Sequence, residues 1–160
     1  MDDKINFTHL GEDGRAHMVD VGRKKETHRR AVAKARVIAS SDTIEALSSG
    51  KISKGDVLAV AQLAGIQAAK RTSDLIPLCH PLILSAVDVD LSVDTNCVQI
   101  TASVENFGRT GVEMEALTAC AVTALTIYDM CKSFDRSMTI EQLGLVEKVG
   151  GKSGHWKRES

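Results

Sequence analysis

Aromatic side chains are scarce: the 160 residues hold one Trp, one Tyr and three Phe, 3% in all. Bases stack on aromatic faces, so this composition leaves no platform for nucleic acid. A surplus of positive charge is missing as well, since 20 Lys and Arg against 21 Asp and Glu leave a formal net charge of -1. That balance argues against general attraction to a polyanion. No charged n-region followed by an apolar h-region opens the chain, and no apolar stretch reaches membrane length, so neither secretion nor membrane insertion is expected. The four cysteines, Cys79, Cys97, Cys120 and Cys131, form no CxxC and no paired His/Cys spacing. Neither a zinc site nor a disulfide framework is indicated, and reduced thiols in a cytoplasmic protein are expected. Phosphate-loop and nucleophile motifs are also absent. No GxGxxG follows a strand, no nucleophile elbow occurs, and Val146 stands where a P-loop ending in Gly150-Gly151-Lys152-Ser153 needs its first glycine.

What is present is enough apolar sequence, 43%, for one sizeable core, and the pattern predicts a single domain over residues 1–160. Residues 1–16 and 155–160, polar and unpatterned, are expected to be a mobile arm and a flexible tail. From Arg30 to Ala39 the chain alternates, with Ala31, Ala33, Ala35 and Val37 on one face and Arg30, Lys34 and Arg36 on the other. This predicts a strand with one basic side, a candidate for a small anion or merely a solvated face. Ser41 or Asp42 can cap a short helix ending at Gly50, and Asp56 can open a second helix running to Arg71. Pro77 and Pro81, the only prolines, then enforce a loop. Val87 to Val93 and Val98 to Val104 alternate with polar residues around Thr95-Asn96, which predicts a hairpin with one wet face.

A long helix follows. Thr110 and Glu113 have capping-box spacing, and the uncharged run Ala116 to Tyr128 (ALTACAVTALTIY) is bracketed by Glu113-Met114-Glu115 and by Asp129 and Lys132. A helix that apolar is built to be buried, so ionisable groups at its ends belong to a site or to ion pairs. With a last strand over roughly Met138 to Val149, the order is β-α-β-β-α-β plus a short extra helix. That is an α+β, ferredoxin-like split arrangement with helices on one face of an antiparallel sheet. Glu113 and Asp129 are sixteen residues apart, about 24 Å along the axis at the helical rise. One small ligand cannot span them within a chain. Either a subunit interface brings the two ends together, or Glu113 is a cap partner and Asp129 and Lys132 a local ion pair. Lys54 precedes a helix start, where a cation can meet phosphate beside free N–H groups. His80, held between Cys79 and Pro81, is restrained enough to donate to an anion or move a proton.

Six strings carry a resemblance: Ala16 to Val21 (AHMVDV), Lys54 to Val57 (KGDV), Gly65 to Thr72 (GIQAAKRT), Asp74 to Leu82 (DLIPLCHPL), Gly111 to Ala119 (GVEMEALTA) and Ala124 to Lys132 (ALTIYDMCK). Together the chain, from about His17 to Gly154, resembles the cyclic pyranopterin monophosphate synthase family. The resemblance implies conversion of (8S)-3',8-cyclo-7,8-dihydroguanosine 5'-triphosphate to cyclic pyranopterin monophosphate with loss of pyrophosphate, in molybdenum cofactor biosynthesis. It implies a homohexamer, a trimer of dimers with sites between protomers. It implies Asp129, Lys132 and Lys54 as catalytic residues, and Leu78, Cys79, His80, Glu113, Met114, Glu115, Arg29 and Lys148 as substrate contacts. No metal or organic cofactor is called for, although Mg²⁺ accompanying the triphosphate is compatible with this chemistry. Partners are expected to be the small-molecule substrate and other copies of the chain, not nucleic acid or a membrane. The competing class is a non-catalytic ferredoxin-like sensor that binds a nucleotide through the basic face.

Overall fold

A computed structural model describes residues 14–159; of the expected N-terminal arm, residues 1–13 lie outside it. The elements in chain order are β1 (Thr27–Ile38), α1 (Ser41–Ser48), α2 (Val57–Lys70), α3 (Thr72–Leu75), β2 (Ala86–Val93), β3 (Cys97–Gly108), α4 (Glu113–Cys131), β4 (Thr139–Val149) and β5 (Trp156–Lys157). The strands form one sheet in the order β2-β3-β1-β4-β5, with every neighbouring pair antiparallel. The first four strands reproduce the split βαβ arrangement read from the sequence, and the α+β ferredoxin-like class holds.

The alternating pattern decides which face is buried. Ala31, Ala33, Ala35 and Val37 of β1 meet Val98, Ile100, Ala102 and Val104 of β3 in register, and all eight are buried. Small residues on β1 let α4 lie close over the middle of the sheet, where Ala116, Ala119, Cys120, Ala124 and Ile127 are fully buried. α2 packs beside α4 through Gly65, where an added Cβ would land on Thr123 Oγ1 and come within 3.1 Å of the Ala119 carbonyl. Gly65→Ala should therefore destabilise the protein by about 1–3 kcal/mol through overpacking, measured as a lower denaturant midpoint at unchanged slope. No change in midpoint would show that the two helices separate freely.

Boundaries differ from the sequence reading for identifiable reasons. β1 begins at Thr27, because Thr27, His28 and Arg29 pair with Gly108, Phe107 and Asn106 although their polar run hides the alternation. Ser40, rather than Ser41 or Asp42, caps α1, its hydroxyl accepting from the Thr43 N–H. The capping box at Thr110 and Glu113 does not form: Val112 is the cap residue and makes no side-chain cap bond, which puts Glu113 at the first helical position. Its carboxylate folds back over Gly111 instead. The segment expected as a flexible tail contributes β5, where Lys157 and Trp156 pair with Glu147 and Lys148 and the Arg158 side chain donates to the Leu145 carbonyl. α4, 19 residues long, is also long and apolar enough by length and composition to cross a membrane, unlike anything expected above. It occupies the position of a core helix, packed on β1 and β3.

Candidate active site

The two ends of α4 carry two separate groups of side chains. At its N-terminal end, Glu113, Met114 and Glu115 line a cavity of about 380 Å³ together with Leu78, Cys79 and His80, within the size range of small-molecule sites. The Pro77–Pro81 loop brings the last three there, with the Cys79 N–H bonded to the Ile76 carbonyl in a turn. Glu115 is 4% exposed and its carboxylate makes no ion pair among the described residues; burial pushes its pKa up to about 7, with the Glu113 charge adding to the effect. Burial likewise raises the Cys79 thiol, and the Glu115 charge reinforces it, so Cys79 is a neutral wall of the cavity rather than a nucleophile.

Val19, Val21 and Lys24 complete the wall. Lys24 was not among the expected site residues, because it lies in a turn closed by its own N–H on the Val21 carbonyl, ahead of the first periodic segment.

At the C-terminal end, Lys132 Nζ sits 2.6 Å from Asp129 Oδ1, and Lys54 Nζ donates to the Asp129 carbonyl at 2.9 Å. The last turn of the helix thus receives two cations where its carbonyls face solvent, a favourable place for positive charge. The hydrogen bond and charge of Lys132, with Lys54 adding, hold the Asp129 carboxyl below the usual range. Asp129 is the anion of the group at neutral pH. All three are exposed, the Lys132 side chain by 51% and that of Asp129 by 64%. Within one chain these lysines are therefore solvated; substrate or a second protomer has to supply any desolvation.

Arg29 and Lys148 belong to neither group. Arg29 donates to the Gly108 carbonyl at 2.9 Å and the Arg109 carbonyl at 3.2 Å, and Lys148 bonds Ser153 Oγ. Both surround the turn at Gly150 and Gly151, whose φ values of +95° and +74° favour glycine. A Cβ at Gly150 would strike the His28 carbonyl, and one at Gly151 the Arg29 guanidinium. The glycine pair serves that packing. Among the described residues, no group of three or more His, Cys, Asp or Glu side chains converges as a metal site would.

A lysine–aspartate–lysine group at one end of α4 and a carboxylate-lined cavity at the other, on a ferredoxin-like sheet, are groups of the kind that bind a small molecule and exchange protons. Comparison with known proteins narrows this class. Residues 18–151 match the MoaC family, and the chain belongs to it. Cyclic pyranopterin monophosphate synthases of Thermomicrobium roseum and Heliobacterium modesticaldum are each 58% identical to it over 155 residues, 96% of this chain and 93% and 98% of theirs. The protein of that name from Peptoclostridium acidaminophilum is 51% identical over 156 residues, 98% of this chain and 99% of its own.

Proposed function

We propose that the chain is a cyclic pyranopterin monophosphate synthase acting as a lyase: it converts (8S)-3',8-cyclo-7,8-dihydroguanosine 5'-triphosphate to cyclic pyranopterin monophosphate and releases pyrophosphate, a step of molybdenum cofactor biosynthesis. The observation that carries this reading is the Lys54/Asp129/Lys132 group, within a chain more than half identical to proteins so named. Opening the dihydropurine five-membered ring and closing a pyrazine ring moves protons among nitrogen and carbonyl oxygen atoms. Lys132 on the Asp129 carboxylate and Lys54 on the Asp129 backbone carbonyl can give protons as ammonium groups and take them as neutral amines once water is excluded. Asp129, anionic between them, sets their protonation. Closure of the cyclic monophosphate displaces pyrophosphate, whose growing charge His80, in the cavity wall, meets.

The geometry supports a site shared between protomers. Glu115 is a buried carboxylate that pairs with no cation among the described residues, in a cavity whose wall also carries Lys24 and His80, and Lys54 and Lys132 are exposed cations at the other end of the same helix. Bringing one end of α4 from each of two chains together supplies each with what it lacks. Apolar residues exposed on the helix layer, Leu63 at 64% and Leu125 at 57%, favour such burial, and a helix apolar all round is a buried one. A homohexamer, a trimer of dimers, meets this need. The protein works in the cytoplasm, without nucleic acid, membrane or tightly bound cofactor, and its chemistry is compatible with Mg²⁺ on the substrate triphosphate.

The test is to incubate the purified protein with the cyclised triphosphate and quantify both products. Cyclic pyranopterin monophosphate and pyrophosphate should appear in equal amounts. Tight binding with neither product would mean a sensor.

A further inference from the structure

The loop that leaves α4 contains a charged residue that the chemistry above does not use. Asp135 is 7% exposed, and its carboxylate is fully engaged. Oδ2 accepts the Ser40 N–H at 2.8 Å, and Oδ1 accepts the Ser137 N–H at 2.9 Å and the Ser137 hydroxyl at 2.5 Å. These bonds hold its carboxyl well down, at about 2. Two of them are local to the loop. The third crosses 95 positions of sequence to the residue that caps α1.

That long-range bond joins the two segments that carry the lysine–aspartate group. On one side, Ser40 starts α1, and α1 leads through the turn in which Gly55 donates to the Ile52 carbonyl. Leu47, Ile52 and Val57 are buried there, and Lys54 projects between the last two. On the other side, Asp135 follows Asp129 by six residues and Lys132 by three, just past the end of α4. Its own N–H bonds the Cys131 carbonyl, and Tyr128 Oη donates to the Arg136 carbonyl. The fully buried thiol of Cys131 lies within the fields of both Lys54 and Asp135. The carboxylate and Lys54 are therefore both brought to the C-terminal end of α4, around Cys131.

We propose that Asp135 is a positioning residue: by tying the Ser40 backbone to the exit of α4, it holds Lys54 in register with Asp129 and Lys132. The need follows from the exposure of the lysines. Lys54 touches Asp129 only through a backbone carbonyl, and long solvated side chains hold a geometry poorly unless their backbones are fixed. A displacement of about 1 Å in a proton-transfer group can cost about a hundredfold in rate.

The inference rests on the proposed activity, so the experiment assays the full-length wild-type oligomer beside Asp135→Asn and Ser137→Ala. An amide is nearly isosteric but is a weaker acceptor, so Asp135→Asn should lower kcat about tenfold or more with KM changed less than about threefold. The pH profile of kcat should shift, because Lys54 no longer sits at a fixed distance from Asp129. Ser137→Ala removes only a local bond and leaves the tie to Ser40, so its kcat should stay within about twofold of wild type even if its melting temperature falls. Should Asp135→Asn give no folded oligomer, Asp135→Glu carries the same prediction.

Wild-type kcat and pH profile in a folded Asp135 variant would overturn the positioning role, as would equal losses of kcat in both variants. Absence of product from the wild type would instead overturn the proposed activity.

Discussion

Replacing Lys132 or Lys54 by Ala should abolish turnover, a loss of at least about a thousandfold, while the protein remains folded and assembled. The size follows from the chemistry: a positioned acid or base contributes about 10² to 10⁴ in rate, and each lysine also balances the charge of Asp129. Folding should survive because neither side chain supports the core. Lys132 is half exposed, and its ion pair with Asp129 is an i,i+3 surface pair, a kind that contributes less than about 1 kcal/mol. Lys54 makes one hydrogen bond, to a backbone carbonyl. The check is product and pyrophosphate yield beside size-exclusion elution and melting temperature. Wild-type rates in either folded variant would remove that lysine from the mechanism.

Much of this architecture was legible because burial in a sheet is written with period two. The Ala31–Val37 and Val98–Val104 alternations identified the buried face, and the β2–β3 hairpin turned where Thr95-Asn96 indicated, but the β1–β3 register between distant segments was not written locally. The start of α4 was misread because capping-box spacing is a local signal. Glu113 sits one position past the Val112 cap, and its carboxylate turns back over Gly111 at the cavity. β5 was missed because two residues carry no periodicity and the pairing depends on Glu147 and Lys148, ten and eight positions upstream of their partners.

For the site, residue type and spacing along α4 identified both ends and their separation. The Pro77–Pro81 loop and His80 followed from residue type, while Leu78, Cys79, Arg29 and Lys148 as substrate contacts came from the family resemblance. Lys24 escaped because its segment has no regular structure, and Asp135 because its importance lies in a bond to a residue 95 positions away.

The second large effect concerns assembly. Lys132→Ala spoils only the C-terminal end of α4, and Glu115→Gln, nearly isosteric, spoils only the cavity at its N-terminal end. If every site takes one end from each of two chains, oligomers containing both variants include sites in which both halves are intact. With random mixing at equal amounts, each half is intact in half of the cases, so about a quarter of wild-type activity should return. Activity from two inactive parents is a gain from near zero, and no change in stability can imitate it.

That complementation measures the central claim most directly. The two inactive variants are co-expressed, mixed oligomers are verified by native mass spectrometry, and formation of cyclic pyranopterin monophosphate is followed. The divided site predicts recovery to about a quarter of the wild-type rate. Mixed oligomers that remain as inactive as their parents would contradict it, and would mean that each chain carries its site alone.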